Sequence, residues 1–183
     1  MHWLNALAVL LLIFSGWRIY NAAPIFGFRF DQDFVLGGWL GGALLWHFAA
    51  MWLLFCNGLS YLALNILSGR LRARFFPLSP RAILADFAAA LRGRLAHDDP
   101  AHYNAVQKAA YLGAMGLIAL AVVSGLAIWK SVQFPLLREL LGGFDNARIV
   151  HFAAMAGLSA FIVVHVAMVA LVPKTLRLMI LGR

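Results

Sequence analysis

The chain has 183 residues, of which 63% are hydrophobic and only 12% charged, with a formal net charge of +8. A water-soluble domain of this length needs far more polar residues to cover its surface, so the composition excludes one and points to the bilayer. The basic excess is a topology signal rather than a nucleic-acid interface, because it collects in the segments that four spans would leave on one side.

Those four apolar spans cover residues 2–20, 35–67, 104–130 and 148–172. About 20 apolar residues cross the hydrocarbon as a helix, and the first span reaches that length once Ile19 and Tyr20 are included. It lacks the basic start of a signal peptide and ends in aromatic residues, so it reads as a true span. The outer loop after it is rich in Phe, Pro and Gly, with Asp31 and Asp33 near the next span. Span two exceeds a bilayer thickness and is expected to tilt or protrude.

In the loop after span two, Ser79-Pro80 reads as an N-cap followed by proline at the first helical position. Ile83, Phe87, Leu91 and Leu95 recur every four residues, with Arg81, Asp86, Arg92 and Arg94 on the polar side, predicting an amphipathic interfacial helix over 80–96. A soluble contact helix for a partner fits the same pattern. HDDP at 97–100 breaks the chain before span three, and GGFDN precedes span four.

Counting loops, the side holding both termini carries Arg70, Arg72, Arg74, Arg81, Arg92, Arg94, Lys108, Lys174, Arg177 and Arg183. The opposite side carries Arg18, Arg29, Lys130, Arg138 and Arg148. The positive-inside rule therefore puts both termini in the cytoplasm of a multi-pass protein of the bacterial inner membrane. The expected fold is an all-α membrane protein, a four-helix bundle with one short amphipathic helix in the cytoplasmic loop. It forms a single domain over 1–183, without repeats of solenoid length. Cys56 is alone in span two, so no disulfide, zinc knuckle or C-x-x-C-H haem attachment is available.

Span four carries His151 and His165, fourteen residues apart. At 100° per residue they lie about 40° apart around the helix, and at 1.5 Å rise roughly 21 Å apart along it. One is near the outer boundary and the other toward the inner one, so they need separate partners. His47 in span two lies at the outer level and His2 at the inner start of span one, giving the pairs His47/His151 and His2/His165. Two imidazoles per level without thiolates suit six-coordinate haem b, so two haems are expected. Zinc would want four ligands. A lone histidine in a span is also satisfied by a hydrogen bond to another helix. Four at two matched depths favour iron, since ionisable groups inside a membrane usually mark function.

Gly16, Gly41, Gly42, Gly113, Gly116, Gly125 and Gly157 open space for a flat macrocycle or serve ordinary close helix packing. For haem propionates, Arg148, Lys130 and Arg18 are candidates outside, and Lys174 and Lys108 inside. Each also fits a snorkelling anchor.

With HW at 2–3, His47 in span two, YNAVQK at 103–108, SGLAIW at 124–129 and the H-x13-H of span four, nearly the whole chain resembles the di-haem cytochrome b subunits that anchor periplasmic oxidoreductases. These include the gamma subunit of respiratory formate dehydrogenase and the cytochrome b of nickel-iron hydrogenases; the chain looks most like the short members paired with molybdenum enzymes. The resemblance implies two stacked haems, electron exchange with the quinone pool, and a quinone pocket at the start of span three. The matching positions are Asn104 and Gln107, with Lys108 beside them. Asn104 also suits a helix cap. His97, Asp98, Asp99 and His102 read as a proton relay to that pocket or as solvated loop. Members usually carry a short basic arm before the first histidine, whereas this sequence begins Met-His. His2 then stands where a helix frays: either the start is truncated, or the haem itself holds the terminus, or His2 is not the ligand and His102 is the first substitute to test.

No nucleotide-binding glycine motif, activated nucleophile or iron–sulfur cysteine set is present. The sequence therefore favours an electron-transfer subunit with lipid, quinone and a periplasmic molybdenum enzyme or hydrogenase as partners, and leaves a homo-oligomer open. The alternative is a stand-alone b-type cytochrome that oxidises superoxide or another small donor and reduces quinone. A non-redox membrane carrier or anchor would show no haem absorbance.

Overall fold

A computed structural model describes residues 1–92 and 103–172. Among them the elements are all helical: α1 (His2–Ala22), α2 (Leu40–Leu67), α3 (Arg70–Phe75), α4 (Pro80–Leu91), α5 (Ala105–Trp129), α6 (Pro135–Leu140) and α7 (Phe144–Leu171), with one 3-10 turn at Gln32–Phe34. α1, α2, α5 and α7 are long and apolar enough to cross a membrane. The chain divides into two compact units, residues 1–71 and 72–183.

The first unit is the hairpin α1–α2. Its seam is made of small residues seven apart, Ala8 and Ser15 on α1 against Ala43 and Ala50 on α2, all at most 2% exposed. Without a hydrophobic driving force between helices in lipid, such residues let backbones approach closely enough for dispersion and hydrogen bonds to hold them. Asn57 continues the seven-residue series on α2. The loop between α1 and α2 folds back on α1: Asn21 brackets Phe30, donating to its carbonyl at 2.8 Å and accepting its N–H at 2.9 Å. Phe30 also stacks on Trp17 at 4.6 Å.

Span two starts later than its hydropathy suggests, at Leu40 instead of residue 35. Gly37 and Gly38 both have positive φ, a region open to glycine at no steric cost. A Cβ at Gly37 would also collide with the Ala43 backbone. The Arg18 Nε–H holds the Gly38 carbonyl at 2.8 Å, fixing this turn against α1.

In the second unit, Ser79 caps α4 with Pro80 inside its first turn, as expected; its Oγ accepts from Ala82 N–H at 3.5 Å. Asp86, assigned above to the polar face, instead accepts the Ala105 N–H at 2.8 Å. A carboxylate at a helix N-terminus satisfies an orphan donor and complements the dipole, so α4 docks on the start of α5. Leu84 and Phe87 of α4 remain exposed. α5 and α7 form the second hairpin, with Ala114, Ser124 and Ala127 buried on one helix and Ala147, Ala154 and Leu158 on the other. The short helices α3 and α6 were not expected from periodicity, which six residues are too few to display.

Candidate haem-binding histidines

His47 on α2 and His151 on α7 are each gripped by a serine of the neighbouring helix. Ser15 Oγ donates to the Leu11 carbonyl at 2.6 Å and lies 3.0 Å from His47 Nδ1. A hydroxyl has a single hydrogen. With it committed to Leu11, the contact to His47 runs from Nδ1–H to the serine oxygen. Ser124 repeats the arrangement, donating to Leu120 O at 2.6 Å and standing 3.1 Å from His151 Nδ1. His151 Nδ1 is also 3.0 Å from the Ala121 carbonyl, which can only accept. The hydrogen-bond network thus assigns the proton of both rings to Nδ1 and makes Nε2 the nitrogen that carries the metal-binding lone pair. Orienting a ligand imidazole through its other nitrogen is the usual means of fixing its tautomer and direction.

A glycine follows each serine. A Cβ at Gly16 would stand 3.6 Å from His47 Cε1, and one at Gly125 would stand 3.2 Å from His151 Cε1. Gly16 thus lies against the His47 ring. Gly41 and Gly42 serve the turn into α2, being covered by the Trp39 indole and the Gly37 carbonyl.

His2 opens α1, and the terminus there is tied down. The Asn57 amide donates to Met1 O at 3.0 Å and to Asn5 Oδ1 at 2.6 Å. His165 on α7 has Phe161 nearly parallel to its ring, with centroids 5.6 Å apart. Tyr111 of α5 meets it edge-on at 6.3 Å. Of the four candidate ligands, His2 and His47 belong to the first unit and His151 and His165 to the second.

Asn104 and Gln107 form a capping box on α5: Asn104 Oδ1 accepts Gln107 N–H at 2.7 Å, and Gln107 Oε1 accepts Asn104 N–H at 3.1 Å. Their side-chain oxygens are thereby engaged, and their amide NH2 groups are not part of the box. Lys108 lies in the same first turn. Tyr103, just before the cap, sits under the Arg74 guanidinium at 5.4 Å. Of the cations expected on the outer side, Lys130 lies 4.4 Å over Trp129 and Arg148 is 3.8 Å from Asp145. Arg94, Leu95, His97, Asp98, Asp99, His102, Lys174, Arg177 and Arg183 fall outside the described residues.

Sequence reading missed Ser15 and Ser124, although a signal exists. The pentapeptide HFAAM occurs at 47–51 and again at 151–155, and Ser-Gly occurs at 15–16 and 124–125 in the span before each. Ser15 follows His2 by thirteen residues, and Ser124 follows Tyr111 by thirteen. The two hairpins are thus built to one register, with a serine-gripped histidine at the same end of each.

This donor set fits a b-type haem: His47 and His151 each present Nε2, with a glycine at the edge of each ring. Among the described residues no cluster of three His, Cys, Asp or Glu side chains offers a tetrahedral metal site. Compared with known proteins, the chain matches the family model described as prokaryotic cytochrome b561 over residues 1–182. It is 63% identical over 181 residues to a protein of Azospira oryzae provisionally named protein-methionine-sulfoxide reductase subunit YedZ1, covering 99% of this chain and 91% of that one. No solved structure matches. With a family match of this extent, the chain belongs to the prokaryotic cytochrome b561 family: it is a haem b-binding, multi-pass membrane protein of electron transport.

Proposed function

We propose that the protein carries electrons across the membrane between quinone and a periplasmic oxidoreductase through two haem b groups, the outer held by His47 and His151 and the inner by His2 and His165. The observation that supports this reading is the matched Ser–His contact in both hairpins, which makes Nε2 the metal-binding nitrogen of one imidazole in each. Bound haem supplies the one-electron chemistry that side chains lack, and the protein sets its position and potential. Both termini are cytoplasmic in this reading, placing His2 and His165 at the inner face and the quinone residues beside them. The relative's name, a reductase subunit, supports a reductase partner and outward electron flow from quinol; a molybdenum enzyme is the partner class that suits this.

At the quinone site, Asn104 and Gln107 present amide donors and Lys108 a cationic one, suited to the oxygens of a quinone ring. Asn104→Asp separates this role from capping. The aspartate keeps the oxygen that accepts Gln107 N–H and loses the NH2 donor, so the fold and haem content are expected to persist. Haem reduction by added quinol, followed by stopped-flow absorbance in reconstituted membranes, is expected to slow on the order of tenfold, the consequence of one lost hydrogen bond in a binding site. Wild-type kinetics in this variant would remove Asn104 from the site, and purified protein that quinol cannot reduce would remove the function.

The glycines beside the rings give a graded prediction. Gly16→Ala introduces ordinary contact with His47 and should leave the reduced-minus-oxidised spectrum unchanged. Gly125→Ala pushes on His151 Cε1 at 3.2 Å and should lower the occupancy or broaden the band of one haem. Identical behaviour of the two variants would contradict the geometry.

A further inference from the structure

We propose that Ser15 and Ser124 are positioning residues: by accepting from the Nδ1–H of His47 and His151 each makes Nε2 of the ring it faces the nitrogen that ligates haem iron, and lowers the reduction potential of the haem that ring holds. The proposal rests on the assignment of His47 and His151 to a common site and extends it to two residues that touch no cofactor themselves.

Both serines are 0% exposed. A serine inside an apolar helix commonly returns its hydroxyl proton to the carbonyl one turn back, and both do so at 2.6 Å. That bond has a directional consequence. It turns the oxygen lone pairs away from the helix axis and toward the neighbouring helix, where each meets an imidazole nitrogen. The hydroxyl is thereby converted from a donor-or-acceptor into an acceptor, and the ring it faces has one tautomer available. At His151 the Ala121 carbonyl reinforces the same choice. An alanine at either serine position would satisfy the packing seam equally well, as Ala8, Ala43, Ala50, Ala114, Ala147 and Ala154 do elsewhere in the two hairpins. Small size alone therefore does not account for the hydroxyl.

The electronic effect follows from the donor direction. An imidazole whose Nδ1–H is held by an acceptor is more electron-rich at Nε2, a stronger ligand that favours oxidised iron. Removing the acceptor favours the reduced state. One hydrogen bond of ordinary net strength changes the oxidised-to-reduced ratio on the order of two- to ten-fold. On the proposed reading that both rings serve one iron, the two serines should act on the same redox component.

The test is a spectroelectrochemical titration of the full-length protein carrying Ser15→Ala, Ser124→Ala or both, beside His47→Ala. The expected result is retention of haem in both serine variants, an upward shift of the same single component in each, and a larger shift in the double variant. Haem retained with every component at its wild-type potential would overturn the proposal while leaving the ligand assignment intact. Shifts in two different components would overturn the joint action on one haem. Should an alanine variant lose haem, threonine at that position, which restores the hydroxyl, is expected to recover it; failure of recovery would also overturn the proposal. A His47→Ala protein with its full haem content would instead overturn the underlying ligand assignment.

Discussion

Replacing His47 or His151 by alanine is expected to remove about half of the haem b, one group per chain, while the other keeps its spectrum and potential. A six-coordinate b-type site is held by its two axial imidazoles and by apolar contacts, so loss of either ligand opens the same iron. The decisive comparison is the double variant. If both rings serve one haem, His47→Ala together with His151→Ala loses no more haem than either alone, because residues acting on one centre are non-additive. His2→Ala and His165→Ala should behave as the complementary set. Haem content per chain by pyridine haemochrome, with circular dichroism to show that the helices persist, makes the measurement. A double variant stripped of all haem, with its helices intact, would show that His47 and His151 serve different sites.

The second large effect is expected at a residue that binds no cofactor. Asn57→Leu removes the amide that holds Met1 O and Asn5 Oδ1 and leaves both oxygens beside an apolar side chain. Losing such bonds costs about 1–3 kcal/mol where the acceptors remain desolvated. The cost falls on the first turn of α1, whose N–H groups have no intrahelical partners. His2 stands in that turn. The variant should therefore lose most of the inner haem and spare the outer one, and amide exchange at residues 2–6 should accelerate. Full inner-haem occupancy with a fast-exchanging terminus would separate His2 from the site and return attention to His102.

Much of the membrane architecture was legible because hydrocarbon imposes a one-dimensional constraint. An uncharged stretch near 20 residues long is a span whatever it packs against, and the four spans emerged with boundaries shifted by only a few residues, except at Gly37 and Gly38. There hydropathy ran on through a turn that only positive φ reveals. The amphipathic helix and its Ser79-Pro80 start were likewise local properties. Asp86 was misassigned because a charge on a helix reads as solvated unless its partner is known, and that partner is a backbone N–H nineteen residues away. Asn104 and Gln107 illustrate the reverse: their three-residue spacing announces a capping box as clearly as a ligand site, and the box is present.

The histidines themselves, their positions along their helices and their division between spans came from sequence, since periodicity and rise fix where a side chain stands on its own helix. Which ring nitrogen carries the proton came only from tertiary structure. That depends on Ser15 standing opposite His47 and Ser124 opposite His151, contacts spanning 32 and 27 residues. A serine in an apolar span looks like any small residue of a packing seam. Its hydroxyl acquires a direction only when the carbonyl behind it takes the proton and an imidazole on another helix comes within hydrogen-bond distance.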